Sequence, residues 1–183
     1  MARAAIRAFL ALALPQSVRL ELAMNQQGLR VGRPVPTENL HLTLVFLGEL
    51  PAAALEELHL AIEPLSAPTL ELRLKGMGFF GRDAPRTVWA GVEPNSALDR
   101  LQGKLEQAAR MSGVELRSRR FVPHVTIARL EARRGDAVEV AAFVAPRSGF
   151  ATPPFPADHV ALFSSHLTRE GPDYEELARY RLG

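Results

Sequence analysis

The chain has 183 residues, 47% of them hydrophobic and 23% charged, with a formal net charge of +2. This is ordinary globular composition with enough apolar content for a core, and the length fits one domain or two small lobes sharing a core. There is no cysteine, which excludes a disulfide framework and a thiolate metal site and agrees with a cytoplasmic location.

Residues 5–14 read as a strand ending at Pro15. Phe9 to Leu14 follows Arg3 and Arg7 as a signal-peptide core would. However, the run is short, and Pro15, Gln16 and Arg19 stand where a small-residue cleavage site would lie. No apolar run reaches the ~18 residues of a membrane span. Residues 16–29 have helical spacing through Val18, Leu22 and Met24, and Gly32, Pro34 and Pro36 mark a loop. Leu40 to Leu47 is a strand that ends at Gly48. Pro51, at a first helical position, opens a helix to Glu63 with Leu55, Leu58 and Ile62 on one face.

Leu70, Leu72 and Leu74 alternate, which predicts a strand over 69–75, and Gly76 to Pro85 reads as a loop. Thr87 to Val92 is a short strand. Residues 95–112 form the longest helix, with Leu98, Leu101, Leu105 and Ala108 on one stripe and Asn95 or Ser96 as cap. Val122 to Leu130, Val138 to Val144 and Val160 to Leu167 read as strands, and 172–182 as a short helix or an extended arm. Strands and helices mix without strict alternation, which argues for an α+β fold with helices on mainly antiparallel sheets.

Arg117, Arg119, Arg120, Arg129, Arg133 and Arg134 crowd one region and would attract phosphate. Lys75 and Lys104 are the only lysines, so part of this arginine excess reflects compositional preference. More informative are Leu40-His41-Leu42-Thr43-Leu44-Val45-Phe46 and Pro123-His124-Val125-Thr126-Ile127-Ala128-Arg129. Both read His, apolar, Thr, apolar. On a strand, His41 and Thr43 share one side and Leu42 and Leu44 the other, and the second segment repeats this. With five His and seven Thr in the chain, the pattern is expected about 0.2 times by chance. It occurs three times. The third, His166-Leu167-Thr168, runs into the turn Arg169-Glu170-Gly171 and is read as a decoy. His59, on a helix, and His159, beside Asp158, read as structural.

A lone strand histidine is most simply held by neighbouring backbone, but two in matched frames point to chemistry. Imidazole titrates near neutrality, so two can hold opposite protonation states and supply a general acid and a general base. Threonine hydroxyls donate to phosphate oxygens, and an arginine adds a bidentate contact.

With these flanks the chain resembles the two-histidine phosphoesterase superfamily, specifically the RNA 2',3'-cyclic phosphodiesterases formerly called 2'-5' RNA ligases. The resemblance includes Arg7-Ala8-Phe9-Leu10-Ala11-Leu12, Glu38-Asn39-Leu40-His41, Arg86-Thr87-Val88-Trp89-Ala90-Gly91-Val92, and Phe163-Ser164-Ser165 with Gly171 and Tyr174. It covers nearly the whole chain. It implies one two-lobed domain over 1–183, with two antiparallel sheets related by a pseudo-twofold axis, helices outside and a central cleft.

For the reaction, the resemblance implies hydrolysis of RNA 2',3'-cyclic phosphate ends to 2'-phosphates without metal or cofactor. His41 would be the general acid and His124 the general base, with Thr43, Thr126 and Arg129 on the phosphate. The partners would be RNA ends, with tRNA fragments and small cyclic nucleotides as further candidates. The resemblance also sets Phe46 and Arg129 against the terminal base. Simple alternation puts both opposite the histidines, so this needs a twist or bulge in each strand. The competing reading of Phe46 is a core residue. The rival functions are a 2'-5' RNA ligase using the same residues, a non-catalytic RNA-end-binding module built on the arginines and Trp89, and a metal site that lacks an evident third ligand.

Overall fold

The computed structural model describes residues 5–169 and 171–183; Arg3 and Glu170 lie outside them. In chain order the elements are β1 (Ile6–Ala13), α1 (Gln16–Asn25), β2 (Arg33–Pro34), β3 (His41–Leu50), α2 (Ala52–Ile62), β4 (Leu70–Leu72) and β5 (Leu74–Phe80). There follow β6 (Thr87–Val92), α3 (Ser96–Met111), β7 (His124–Arg129), α4 (Ala137–Val144), β8 (Phe155–Ala157), β9 (His159–Thr168) and β10 (Gly171–Arg181). The architecture is α+β with two antiparallel sheets, as expected.

The larger sheet has eight strands in the order β10-β9-β1-β3-β7-β6-β5, with β2 also on β7. It consists of two four-stranded halves. One holds β10, β9, β1 and β3; the other holds β2, β7, β6 and β5. The halves join at one pair, Leu42 opposite Val125. Beyond it β3 diverges, and β2 takes over the same edge of β7, with Arg33 opposite Arg129 and Pro34 opposite Ala128. The second sheet is the pair β4 and β8.

The helices bury one face of this sheet. Leu22 of α1, Leu58 of α2, Leu98 and Leu105 of α3 and Val140 of α4 join Leu10, Leu42, Val88, Val125 and Ile127 in one core. The α3 stripe is as expected, and Asn95 caps it by accepting from the Ala97 and Leu98 backbone N–H groups at 3.0 Å. Among the described residues no helix is long and apolar enough to cross a membrane.

The structure corrects several expectations. Val138 to Val144 is a helix, not a strand: the buried residues are Val140 and Phe143, three apart, while Val138 is 80% exposed. Much of the expected loop from Gly76 is strand, because β5 runs to Phe80. Gly78 there is demanded by packing, since a Cβ would lie 2.4 Å from the Trp89 indole. The expected strand 69–75 breaks at Arg73 into β4 and β5, which belong to different sheets. The expected loop around Pro34 contains β2, and β3 continues through Gly48 to Leu50. Pro51 is the cap preceding α2, with extended backbone, not its first residue. The tail is β10, paired along β9.

Candidate active site

The meeting of β3 and β7 at Leu42 and Val125 fixes the site. Paired residues of an antiparallel ladder share a face, and both of these side chains are fully buried in the core. Their neighbours His41, Thr43, His124 and Thr126 therefore project from the opposite face, and all four are partly exposed there. The residue that pairs is the one following each histidine, so a local twofold axis through this pair exchanges the two motifs.

The correspondence extends further. From the histidine onward, both strands show the same succession of one partly exposed, one buried, one partly exposed, two buried and one exposed residue. The two consecutive buried residues mark a bulge in each strand. On β3, Thr43 and Val45 oppose Ala11 and Leu10, leaving Leu44 as the extra residue. On β7, Thr126 and Ala128 oppose Trp89 and Val88, leaving Ile127 extra. A bulge shifts the alternation by one residue, so Phe46 and Arg129 return to the histidine face. Phe46 is 67% exposed, which removes the reading of it as core.

Each imidazole is oriented by the carbonyl two residues before it. His41 Nδ1–H donates to Asn39 O at 2.7 Å, and His124 Nδ1–H donates to Val122 O at 2.6 Å. In the neutral rings this leaves Nε2 as acceptor, and the Thr43 hydroxyl donates to His41 Nε2 at 3.0 Å. The Asn39 side chain also donates to Pro172 O at 2.9 Å, tying the approach to His41 onto β10.

Aromatic walls flank both rings. His41 stacks on Phe9 at 4.8 Å and meets the edge of Tyr174 at 5.3 Å, with Phe163 at 6.4 Å. His124 meets Phe80 edge-on at 5.0 Å and Trp89 at 6.4 Å. Burial disfavours the charged imidazole. It is the main cause of a His41 pKa lowered to about 4, with smaller contributions from the Arg129 and His124 charges. The His124 pKa is lowered as well, first by burial and then by Arg129.

The other sequence candidates are placed apart from this centre. His166 alternates with Phe163 on β9 and so faces away from His41; its Nε2 lies 3.2 Å from the Ser164 hydroxyl. His59 contacts the Tyr180 hydroxyl, and His159 contacts Asp158. The arginine cluster is split: Arg117, Arg119 and Arg120 lead into the His124 end of β7, Arg129 closes its other end, and Arg133 pairs with Glu131. Sequence reasoning gave no role to Phe9, Phe80, Phe163 or Tyr174. Their signal was available only through register, because Phe46, Phe9 and Phe163 form one row across three strands. Among the described residues, no three His, Cys, Asp or Glu side chains come together as a metal site would need.

Two half-sheets meeting at a pair of His-x-Thr strands define the architecture of a two-histidine phosphoesterase. The chain belongs to the 2'-5' RNA ligase superfamily, which it matches over residues 15–169. An RNA 2',3'-cyclic phosphodiesterase of Thermus thermophilus is 34% identical over 199 aligned residues, covering 97% of this chain and 90% of that protein. One of Geobacillus stearothermophilus is 43% identical over 99 residues, which are 52% of this chain and only 31% of that protein. The fold is similar to the apo crystal structure of E. coli LigT, with a TM-score of 0.78 and 29% identity over 98% of this chain and 99% of that one.

Proposed function

We propose that this chain hydrolyses RNA 2',3'-cyclic phosphate ends to 2'-phosphates by acid–base catalysis, with no metal ion in the reaction. The observation that carries this reading is the pair of carbonyl-fixed imidazoles on the two strands that meet at Leu42 and Val125. The shared name of the relatives supports the substrate class. His124 Nε2 accepts the proton of the attacking water, the P–O3' bond breaks, and His41 Nε2–H protonates the departing O3', leaving the phosphate on O2'. The Thr43 and Thr126 hydroxyls donate to the non-bridging oxygens, and Arg129 balances their charge.

A free His41 pKa of about 4 means that the acid must be loaded on binding. The phosphate anion supplies the opposite charge that favours imidazolium. It also draws the Thr43 hydroxyl away from His41 Nε2, which frees that atom for a proton. Phe46, on the same face as the reacting groups, offers its ring to the terminal base, with Arg129 on the other side.

The test is an RNA oligomer ending in a 2',3'-cyclic phosphate, incubated with and without chelator. Turnover should be equal in both, and the product should resist a 3'-specific phosphatase. Activity lost in chelator and restored by a divalent ion would overturn the metal-free mechanism. A 3'-phosphate product would mean that the substrate sits reversed or that the histidine roles are exchanged.

A further inference from the structure

Arg33 and Arg129 stand directly opposite each other across β2 and β7. Like charges in that position repel, and among the described residues neither guanidinium forms an ion pair with a carboxylate. Partners across an antiparallel pair share a face, so Arg33 lies on the cleft face with Arg129.

The segment carrying Arg33 is built to stay there. Gly32 has φ +79, and a Cβ on it would lie 2.6 Å from Arg129 O and 2.8 Å from Leu130 Cγ, so only glycine allows this approach. Just beyond, Val35 N–H donates to Ile127 O at 2.9 Å. The Gln26 side-chain amide donates to that same carbonyl at 2.7 Å and to Val35 O at 2.8 Å. Ile127 is the bulge residue that turns Arg129 toward the cleft. One brace therefore sets both arginines.

Their positions along the cleft differ. The Arg129 charge depresses both histidines, whereas Arg33 stands one strand over, on the edge of β7 away from β6. Arg33 thus lies outside the reacting centre. The row it shares with Arg129 is two ladder steps along β6 from that of Thr126, because Ile127 is the extra residue of the bulge, roughly 7 Å at ~3.3 Å per step. Arg129 on β7 can therefore reach a phosphate held at the threonine hydroxyls, while Arg33, one strand over, is placed for the next one along the bound strand.

We infer that Arg33 binds the backbone phosphate preceding the terminal nucleotide, so that the site selects an RNA strand over a cyclic mononucleotide. This rests on the proposed phosphodiesterase activity. The two are separated by comparing wild type and Arg33→Ala on adenosine 2',3'-cyclic phosphate and on a short RNA oligomer ending in the same group. Arg33→Ala should lower kcat/KM on the oligomer about 5- to 10-fold, mainly through KM, and leave the mononucleotide unchanged. An equal effect on both substrates, or none on either, overturns the inference. Inactivity of the wild-type protein on both would instead overturn the parent reading.

Binding of a 2'-phosphate-ended RNA oligomer, followed by fluorescence anisotropy across a salt series, decides the role of Arg33 independently of turnover. The logarithmic salt slope should fall by about 0.7 in Arg33→Ala, the value for one phosphate contact on a single strand. An unchanged slope and affinity would also overturn the inference.

Discussion

At the scale of single residues, the site is controlled by what is near the two imidazoles. Both titrate below 6.5 in the free protein. The pH dependence of kcat/KM reports free-enzyme values, so its maximum should fall below pH 6.5. Arg129 lowers both histidines, so Arg129→Ala should raise both and move that maximum to higher pH; a maximum that stays in place would contradict the assignment. The same depression affects stability. His41 has a folded value of about 4 against 6.5 for the model residue, so between these the unfolded chain binds more protons. Its contribution is complete above pH 6.5 and is lost as pH falls toward 4, which thermal unfolding across that range would show. His41→Ala and His124→Ala should each reduce turnover by ~10²–10⁴-fold, while His166→Ala, on the other face of β9, should leave it near wild type. Phe46→Ala should cost less than ~0.5 kcal/mol of stability, as at other exposed positions, yet raise KM.

At the scale of elements, the matched bulges decide which side chains reach the cleft. Sequence alternation placed Phe46 and Arg129 on the wrong side and named the remedy, but not where it would occur. Two adjacent buried positions, Leu44-Val45 and Ile127-Ala128, were the available signal. Two apolar residues in succession also suit an unbroken buried strand, so register had to decide. The β7 bulge depends on Gln26, whose two acceptors are backbone oxygens more than eight residues away and leave no trace in local pattern. Gln26→Ala should destabilise the fold by about 1–3 kcal/mol, mainly because Val35 O loses this donor while Ile127 O keeps the Val35 N–H. It should also lower kcat/KM in the direction of Arg129→Ala; an activity equal to wild type would show that Arg129 needs no such brace. The α4 misreading has a similar origin. Val138, Val140 and Val144 favour a strand by composition, but burial of Val140 and Phe143 against the core selects helical spacing. The helices α2 and α3 were legible because their apolar stripes coincide with the buried faces.

At the scale of the whole molecule, the two half-sheets pair with each other, among the described residues, at Leu42 and Val125 alone. Leu42→Ala and Leu72→Ala both remove a fully buried side chain, and each should cost about 2–5 kcal/mol by the usual cavity penalty. Only the first should also lower kcat, since Leu72 sits in the separate pair β4 and β8. Equal kcat in the two variants, measured well below their melting temperatures, would show that the junction does not set the histidine geometry. The local axis at that junction also bears on the direction of reaction. In-line displacement at phosphorus has an entering and a departing oxygen, and a twofold operation interchanges them. A backbone with this symmetry treats hydrolysis and its microscopic reverse alike, so it imposes no polarity on the chemistry. Polarity must come from side chains that break the symmetry, and the clearest such pair is Phe46 against Arg129, equivalent in position and opposite in character. Exchanging these two residues would leave the scaffold intact while reversing the seat of the nucleoside and, with it, the roles of the two histidines, so the phosphate would still remain on O2'.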